Sequence, residues 1–238
     1  MFIARSRWRR CRILCVFHFF EMLLSPMRFL SFSRRLFLTG VGVGLGASLT
    51  TRLIPSAQAA EVQNTAFTPR AYGNPKAPMV VEEWFSLTCI HCAEFVEKTF
   101  PTVKKNLIDT GKVYYIFHDF PTDKLAITAA MVARTLPPDR YLAFCTALLS
   151  NLDRWAYRQD GKQVEELKKM AAFAGMPGDI FDAAIANQKL TQFILDNQTM
   201  AENKYHIDAT PTFRFNHKEQ AAGALSYDTF LSDMKKAT

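Results

Sequence analysis

The chain has 238 residues, of which 49% are hydrophobic, and its formal net charge is +7 at pH 7. The excess charge is confined to residues 1–59, which hold nine arginines, no lysine and one acidic residue, Glu21. Residues 60–238 hold 20 basic and 21 acidic residues, so the folded part lacks the basic surplus expected of a protein that binds nucleic acid or an anionic membrane surface.

Residues 1–59 have the pattern of an export signal. The segment Ser33-Arg-Arg-Leu-Phe-Leu38 precedes a glycine-spaced apolar run at residues 39–49, and together they resemble a twin-arginine signal. Ala57-Gln-Ala59 is a small-X-small cleavage pattern, which predicts a mature chain from Ala60 and a periplasmic product. The apolar run is short and glycine-rich for a membrane-spanning helix, and an uncleaved anchor is the alternative.

A second arginine-rich apolar segment, residues 1–26, stands ahead of this complete signal. Met27 would begin a signal of ordinary length, so we favour it over Met1 as the true start. In that case Cys11 and Cys15 lie outside the protein, and three cysteines remain in a chain bound for an oxidising compartment.

The motif Cys89-Ile-His-Cys92 directly follows a strand-like apolar run, Met79 to Phe85, and opens a helix-like one. Only a thiolate attacks a disulfide, and a helix N-terminus directs unpaired N–H groups and the positive end of the helix dipole at Cys89. We expect His91 to add a positive charge or a hydrogen-bond donor to that thiolate. Cys92, one turn further along and more buried, would then resolve a mixed disulfide formed at Cys89.

The same Cys-X-X-Cys spacing supplies half of many zinc sites, in which a second Cys or His pair completes the tetrahedron. The sequence shows no such second pair, since only Cys145 and the scattered His118, His206 and His217 follow. A metal site is therefore kept as an alternative. Cys145 lies in an apolar helical stretch, residues 141–149, where we predict a buried free thiol, with a regulatory or metal role as the alternative.

Beyond the motif the pattern predicts a helix to about Asp109, broken or kinked at Pro101, then a turn at Gly111 and a strand from Val113 to Phe117. With the strand before the motif this makes a βαβ unit. The two strands should therefore pair in parallel.

From Asp123 to about Tyr205 the pattern changes to consecutive helices, which predicts a helical subdomain inserted into the fold. One predicted helix carries an apolar face at helical spacing, formed by Val164, Leu167, Met170, Ala171 and Ala174. Residues 212–215 and about 220–224 follow as strands, and Ser226 caps a final helix that ends at Lys235-Lys236. The predicted fold class is α/β, with a sheet that is split by helices and then completed.

This arrangement resembles the thioredoxin fold with an inserted helical subdomain, and specifically the DsbA-like family of periplasmic thiol-disulfide oxidoreductases. The most specific segment runs from Tyr72 to Cys92 and is similar to that family's strand, active-site turn and helix. A second segment, Ala209-Thr-Pro-Thr-Phe213, resembles the loop whose cis-proline faces the dithiol. The resemblance covers nearly all of residues 60–238, taken as one domain with an insertion at about 123–205.

The resemblance implies a substrate-binding role for Thr210 and Pro211. In the family the residue before the cis-proline pairs backbone to backbone with a bound substrate. Thr210 would thus hold an extended polypeptide segment while Cys89 attacks its cysteine. An ordinary trans turn at Thr210-Pro211 is the alternative.

The resemblance also implies a proton-transfer role for Glu83, which matches the family's acidic residue beneath the active site. A partly buried carboxyl with a raised pKa would carry the proton of Cys92 during exchange. Glu82 should point to the opposite face of the strand, by the period of two. His118 is a candidate partner of Glu83, with a solvated surface histidine as the leading interpretation.

Some positions depart from the family pattern. Ile90 stands where the best-known oxidases have proline, Ala209 replaces a glycine, and Asn216-His-Lys218 lacks the usual Asn-Gly hairpin turn. The residues between the two cysteines help to set how far the reduced form is stabilised. Redox poise and substrate choice are therefore left open.

We expect a periplasmic protein thiol-disulfide oxidoreductase that oxidises cysteines of exported polypeptides through the Cys89–Cys92 disulfide, with no metal or other cofactor. The expected partners are those polypeptides and a membrane redox partner that recycles the dithiol, and not nucleic acid. The alternatives are a reductase or isomerase of the same chemistry, a copper- or zinc-binding protein, and a binding protein whose cysteines are only structural.

Overall fold

The structure is a computed structural model and describes residues 65–238. The predictions for the export signal, the cleavage before Ala60 and the start at Met27 lie outside these residues. A five-stranded sheet forms the centre of the described part. Its strands are β1 (Arg70–Tyr72), β2 (Met79–Phe85), β3 (Val113–Asp119), β4 (Thr212–Phe215) and β5 (Glu219–Ala222).

The strand order is β1-β3-β2-β4-β5, in which β2 and β3 are parallel and every other pair is antiparallel. The parallel pairing predicted for the βαβ unit is confirmed. Strand β2 is a nearly continuous buried run, because it is central and both faces of the sheet are covered around it. Strand β3 instead alternates between buried and half-buried residues.

The crossover between β2 and β3 begins with helix α1 (Ile90–Lys98), which is followed by α2 (Phe100–Val103) and a π-helical turn at Lys104–Ile108. The predicted break at Pro101 is confirmed, and it falls between α1 and α2. Pro101 occupies the first turn of α2, where a missing backbone N–H leaves no helical hydrogen bond unmade.

All the regular elements between β3 and β4 are helices. These are α3 (Lys124–Thr135), α4 (Pro138–Leu149), α5 (Leu152–Trp155), α6 (Gln163–Phe173), α7 (Gly178–Ile185) and α8 (Gln188–Tyr205). On the apolar face predicted for α6, Leu167 and Ala171 are buried, whereas Val164 is 42% exposed. Val164 lies in the first turn of α6, and the burial of this face is concentrated at Leu167 and Ala171.

The chain ends with α9 (Tyr227–Lys236), in which the Ser226 hydroxyl accepts a hydrogen bond from the Thr229 N–H at 3.2 Å, as the predicted cap requires. The turn between β4 and β5 places Asn216 and His217 in the left-handed region, with φ of 47° and 60°. The three-residue hairpin loop, residues 216–218, therefore forms without the glycine that usually provides such a turn.

The main hydrophobic core lies between the sheet and the helices on the Glu83 side of β2. A smaller cluster on the other side is formed by Trp84, Phe120, Ala201 and Ile207, with Tyr205 packed against it. Among residues 65–238, no helix combines the length and the hydropathy that a membrane crossing requires.

Candidate active site

The two thiols of the Cys-X-X-Cys motif lie at the N-terminus of α1. Cys89 is the N-cap residue, with extended backbone (φ −86°, ψ 123°), and its sulfur accepts a hydrogen bond from the Cys92 N–H at 3.4 Å. Cys89 is half-buried, whereas Cys92 is fully buried in the first turn. The cap position directs the free N–H groups of the helix at the Cys89 sulfur.

The pKa values of the two thiols diverge. The pKa of Cys89 is lowered to about 5. The hydrogen bond from the Cys92 thiol is the largest cause, burial opposes it, and the Thr210 side chain and the backbone N–H groups of Cys92 and His91 lower the pKa further. Burial raises the pKa of Cys92 well above its ordinary value, and its hydrogen bond to Cys89 and the charges of Cys89 and Glu83 add to this. One sulfur is thus suited to be an anion at neutral pH and the other to stay protonated.

The structure places the imidazole of His91 at the surface. This side chain is 66% exposed, and its Nδ1 lies 3.8 Å from Glu94 Oε2. The structure shows that His91 stabilises the Cys89 thiolate through a hydrogen bond from its backbone N–H. A contribution from the imidazole stays a prediction.

The loop before β4 brings Thr210 and Pro211 to the dithiol. The Thr210-Pro211 peptide bond is cis, as predicted, and Pro211 is buried. The Cys89 thiol donates a hydrogen bond to the Thr210 carbonyl oxygen at 3.3 Å. The backbone of Thr210 therefore lies beside the more exposed sulfur, 121 residues from it in the sequence.

Glu83 is buried on the face of β2 that carries the main core. The Tyr115 hydroxyl donates a hydrogen bond to its Oε2 at 2.7 Å. Burial raises the pKa of Glu83 to about 8, the bond from Tyr115 lowers it in part, and the charge of Cys89 raises it. The charge of Glu83 also raises the pKa of Cys92, so the ionisation of the carboxyl and that of the buried thiol are coupled.

Glu82 lies on the opposite face, as the strand period predicts. Its carboxylate contacts His217 Nδ1 at 2.7 Å and His118 Nε2 at 3.4 Å. His118 therefore partners Glu82, and its predicted pairing with Glu83 is wrong. The expectation of a solvated His118 is also wrong, since its ring is 27% exposed and stacks on Trp84 at 4.7 Å between ring centroids. His118 belongs to β3 itself, and its ring is partly covered because it packs against Trp84 on that face of the sheet.

Cys145 is a buried free thiol in α4, as predicted. Burial raises its pKa, and the charge of Asp119 adds to this effect. Within the described part of the chain, no three His, Cys, Asp or Glu side chains are grouped so that they could hold a metal ion.

Sequence reasoning missed four side chains around the dithiol: Tyr115, Thr88, Asp123 and Tyr157. Tyr115 could have been found, because the parallel register pairs it with Val81, two residues before Glu83 on the same face of the sheet. Tyr157 carries no sequence signal, since it follows a four-residue helix and reaches the motif over 69 residues.

Comparisons with known proteins agree with this geometry. A family model described as Thioredoxin matches residues 65–236. A Rickettsia felis protein, whose name proposes a protein-disulfide oxidoreductase, is 31% identical over 166 residues, which cover 69% of this chain and 58% of that protein. A similarly named Rickettsia prowazekii protein is 31% identical over 145 residues, covering 60% and 53%. The chain thus spans a little over half the length of these curated relatives.

Solved structures show the same fold. Alpha-DsbA1 of Wolbachia pipientis superposes with a TM-score of 0.66 at 31% identity, covering 71% of this chain and 90% of that one. BdbD of Bacillus subtilis superposes with a TM-score of 0.61 over 71% of this chain and 92% of its own, and its 20% identity supports the fold alone. The chain belongs to the DsbA-like members of the thioredoxin-fold family.

Proposed function

We propose that this protein is a thiol-disulfide oxidoreductase that introduces disulfide bonds into exported polypeptides. The observation that carries the proposal is the opposed environment of the two thiols. Cys89 is accessible and its pKa is lowered to about 5, whereas Cys92 is sealed beside Glu83 and stays protonated. A disulfide donor needs this asymmetry, because one sulfur must be reachable and a good leaving group.

The reaction begins with the oxidised Cys89–Cys92 disulfide. A substrate thiolate attacks Cys89 Sγ, the S–S bond breaks, and its electron pair leaves on Cys92. Cys92 then takes a proton from Glu83, which is largely protonated at pH 7 because its pKa is raised to about 8. The product of this step is a mixed disulfide between the substrate and Cys89.

The second step releases the substrate. The other substrate thiolate attacks the substrate sulfur of the mixed disulfide, and Cys89 leaves as a stabilised thiolate. Two electrons have then passed from the substrate to the enzyme, and a membrane redox partner would remove them. The stabilised Cys89 thiolate favours the reduced enzyme and hence the oxidising direction.

The loop beside Cys89 supports a site for the substrate. The Thr210 carbonyl lies within hydrogen-bonding distance of the Cys89 sulfur, so a peptide paired with the Thr210 backbone would present its own cysteine to Cys89. Export to the periplasm, by the twin-arginine route with cleavage before Ala60, is supported by the leader sequence alone.

The test is the reduction potential of the Cys89–Cys92 disulfide, measured by equilibrating the purified protein with glutathione buffers and quantifying each thiol by mass spectrometry. A value well above about −200 mV supports a disulfide donor. A value well below it favours the reductase or isomerase alternative. If no Cys89–Cys92 disulfide forms at all, the proposal is wrong and copper or zinc binding becomes the better interpretation.

A further inference from the structure

Thr88, the residue immediately before Cys89, is held by two side chains of the inserted helical region, from the N-cap of α3 and from the loop after α5. Its hydroxyl donates a hydrogen bond to Asp123 Oδ2 at 2.5 Å, and its carbonyl oxygen accepts one from the Tyr157 hydroxyl at 2.9 Å. Thr88 is buried, and both its side chain and its backbone are therefore tied to parts of the chain that follow β3.

Asp123 is itself fixed in place. It is the N-cap residue of α3, and its Oδ1 accepts a hydrogen bond from the Ala126 N–H at 2.8 Å. One carboxylate oxygen thus caps the first inserted helix while the other holds Thr88. A carboxylate bound through both oxygens has little freedom to rotate, so it is a rigid anchor.

The peptide plane between Thr88 and Cys89 is bonded on both sides. Its carbonyl oxygen accepts from Tyr157, and its N–H, which belongs to Cys89, donates to the Ser86 carbonyl at 3.2 Å. Because a peptide unit is planar, holding both polar atoms fixes its orientation and limits the rotation that carries the Cys89 sulfur.

Tyr157 is suited to act as a permanent donor. Burial raises its pKa, and the charges of Cys89, Asp153 and Asp123 raise it further. The phenol therefore stays protonated over the pH range in which Cys89 ionises, and it keeps donating to Thr88.

We propose that Asp123 and Tyr157 are positioning residues, which hold Thr88 and through it keep the Cys89 sulfur at the N-cap of α1. The inference rests on the proposed function only in taking Cys89 as the attacking thiol. The cap contact from the Cys92 N–H to the Cys89 sulfur spans 3.4 Å, and a rotation of the Thr88–Cys89 peptide would change its length and angle and so weaken it. The inserted helices would in this way help to set the stability of the thiolate.

The first test compares Thr88→Val and Tyr157→Phe with the unaltered protein. Each variant removes a hydroxyl and keeps the shape of the side chain. Thr88→Val removes the bond to Asp123 together with the contacts of the Thr88 hydroxyl with the Ser86 and Thr122 hydroxyls, and Tyr157→Phe removes one bond. Either loss should raise the pKa of Cys89 by about half a unit to one unit, which slows alkylation of Cys89 at pH 5 about two- to fivefold. The measurement is the pH profile of iodoacetamide labelling, read at Cys89 by peptide mass spectrometry.

Thr99→Val is the matched control. Thr99 is also buried, and its hydroxyl donates to the Leu225 carbonyl at 2.8 Å, but it lies at the C-terminal end of α1. A comparable loss of stability with an unchanged Cys89 profile is expected. If Thr88→Val and Tyr157→Phe also leave the profile unchanged, or if Thr99→Val shifts it equally, the proposal is overturned.

A second test separates positioning from charge. Asp123→Asn keeps a cap for α3 and a hydrogen-bonding group for the Thr88 hydroxyl but removes the charge. Asp123→Ala removes the cap, the hydrogen-bonding group and the charge. Positioning predicts a raised pKa of Cys89 only in Asp123→Ala. If Asp123 acted through its negative charge alone, both variants would lower that pKa, and this result would overturn the proposal. Asn187→Ala, which removes the cap of α8, controls for the loss of a cap as such.

These outcomes are distinct from failure of the proposed function. Positioning is read from the difference between each variant and the unaltered protein, and it holds for a disulfide donor or a reductase alike. The direction of the reaction is read from the reduction potential of the unaltered protein.

Discussion

Two adjacent carboxyls of β2 lie on opposite faces of the sheet, and their pKa values are shifted in opposite directions. Glu82 and Glu83 are both buried. Burial raises the pKa of Glu83 to about 8, because Tyr115 supplies only a neutral hydrogen bond. Burial would also raise the pKa of Glu82, but the hydrogen bonds and charges of His118 and His217 outweigh it and the pKa is lowered. The partners, more than the burial, decide which carboxyl holds a proton at neutral pH.

Among the substitutions at these two carboxyls, Glu83→Gln should have the largest effect. This change removes the group that exchanges a proton with Cys92, so reaction of the oxidised protein with a dithiol peptide at pH 7 should slow at least about tenfold. Rapid-quench kinetics would measure the rate, and Glu82→Gln is the matched control on the other face. Equal rates in Glu83→Gln and the unaltered protein would show that Cys92 obtains its proton elsewhere.

Glu82→Gln should have its main effect on stability. It leaves His118, His217 and Arg214 without the carboxylate that they surround, since Arg214 Nη1 lies 3.7 Å from Glu82 Oε2. We expect a loss of about 1–3 kcal/mol in the free energy of unfolding, because removal of the carboxylate leaves the largely buried Arg214 and His118 uncompensated. Urea denaturation would measure it. The prediction fails if stability is retained or if Cys89 alkylation changes instead.

The pH dependence of stability should differ in sign between the two faces. The pKa of Glu83 rises from 4.5 unfolded to about 8 folded, so its ionisation destabilises the fold progressively as the pH increases between these values. The pKa of Glu82 is lowered, so its contribution is present above pH 4.5 and is lost as the pH falls below that value. Relative to the unaltered protein, Glu83→Gln should gain stability from pH 5 to 8. Urea midpoints that keep a constant difference over this range would contradict the assignment.

Tyr115→Phe should have the smallest effect. The hydrogen bond that Tyr115 donates lowers the pKa of Glu83 in part, so its loss should raise that pKa by a further amount of about half a unit to one unit. Titration of the Glu83 carboxyl by NMR would measure the shift. Tyr72→Phe, which removes a hydroxyl at the edge of the sheet, is the control. A lowered pKa of Glu83 in Tyr115→Phe would show that the tyrosine acts in another way.

Local pattern was sufficient for much of the fold. The continuous apolar run of β2, the break at Pro101 and the cap at Ser226 are each written within a few neighbouring residues. Strand β1 was missed, because three residues give no periodicity and Arg70–Tyr72 is a strand only through its pairing with β3.

The site was harder to predict where it depends on distant contacts. The period of two separated Glu82 from Glu83 but could not say which one faced the dithiol, since both are buried. That choice came from the family resemblance. The bonds from Thr88 to Asp123 and Tyr157 span 35 and 69 residues, and no local pattern encodes such contacts.

The burial of Cys145 bears on whether this third thiol can react with the active-site disulfide of the same chain. A third thiol in the same chain as a reactive disulfide is a potential competitor, because intramolecular attack would scramble the redox centre. Cys145 is buried in α4 and its pKa is raised, so it offers almost no thiolate at neutral pH. The packing of α4 would thus protect the Cys89–Cys92 pair from thiol-disulfide exchange with Cys145, although Cys145 itself is a free thiol.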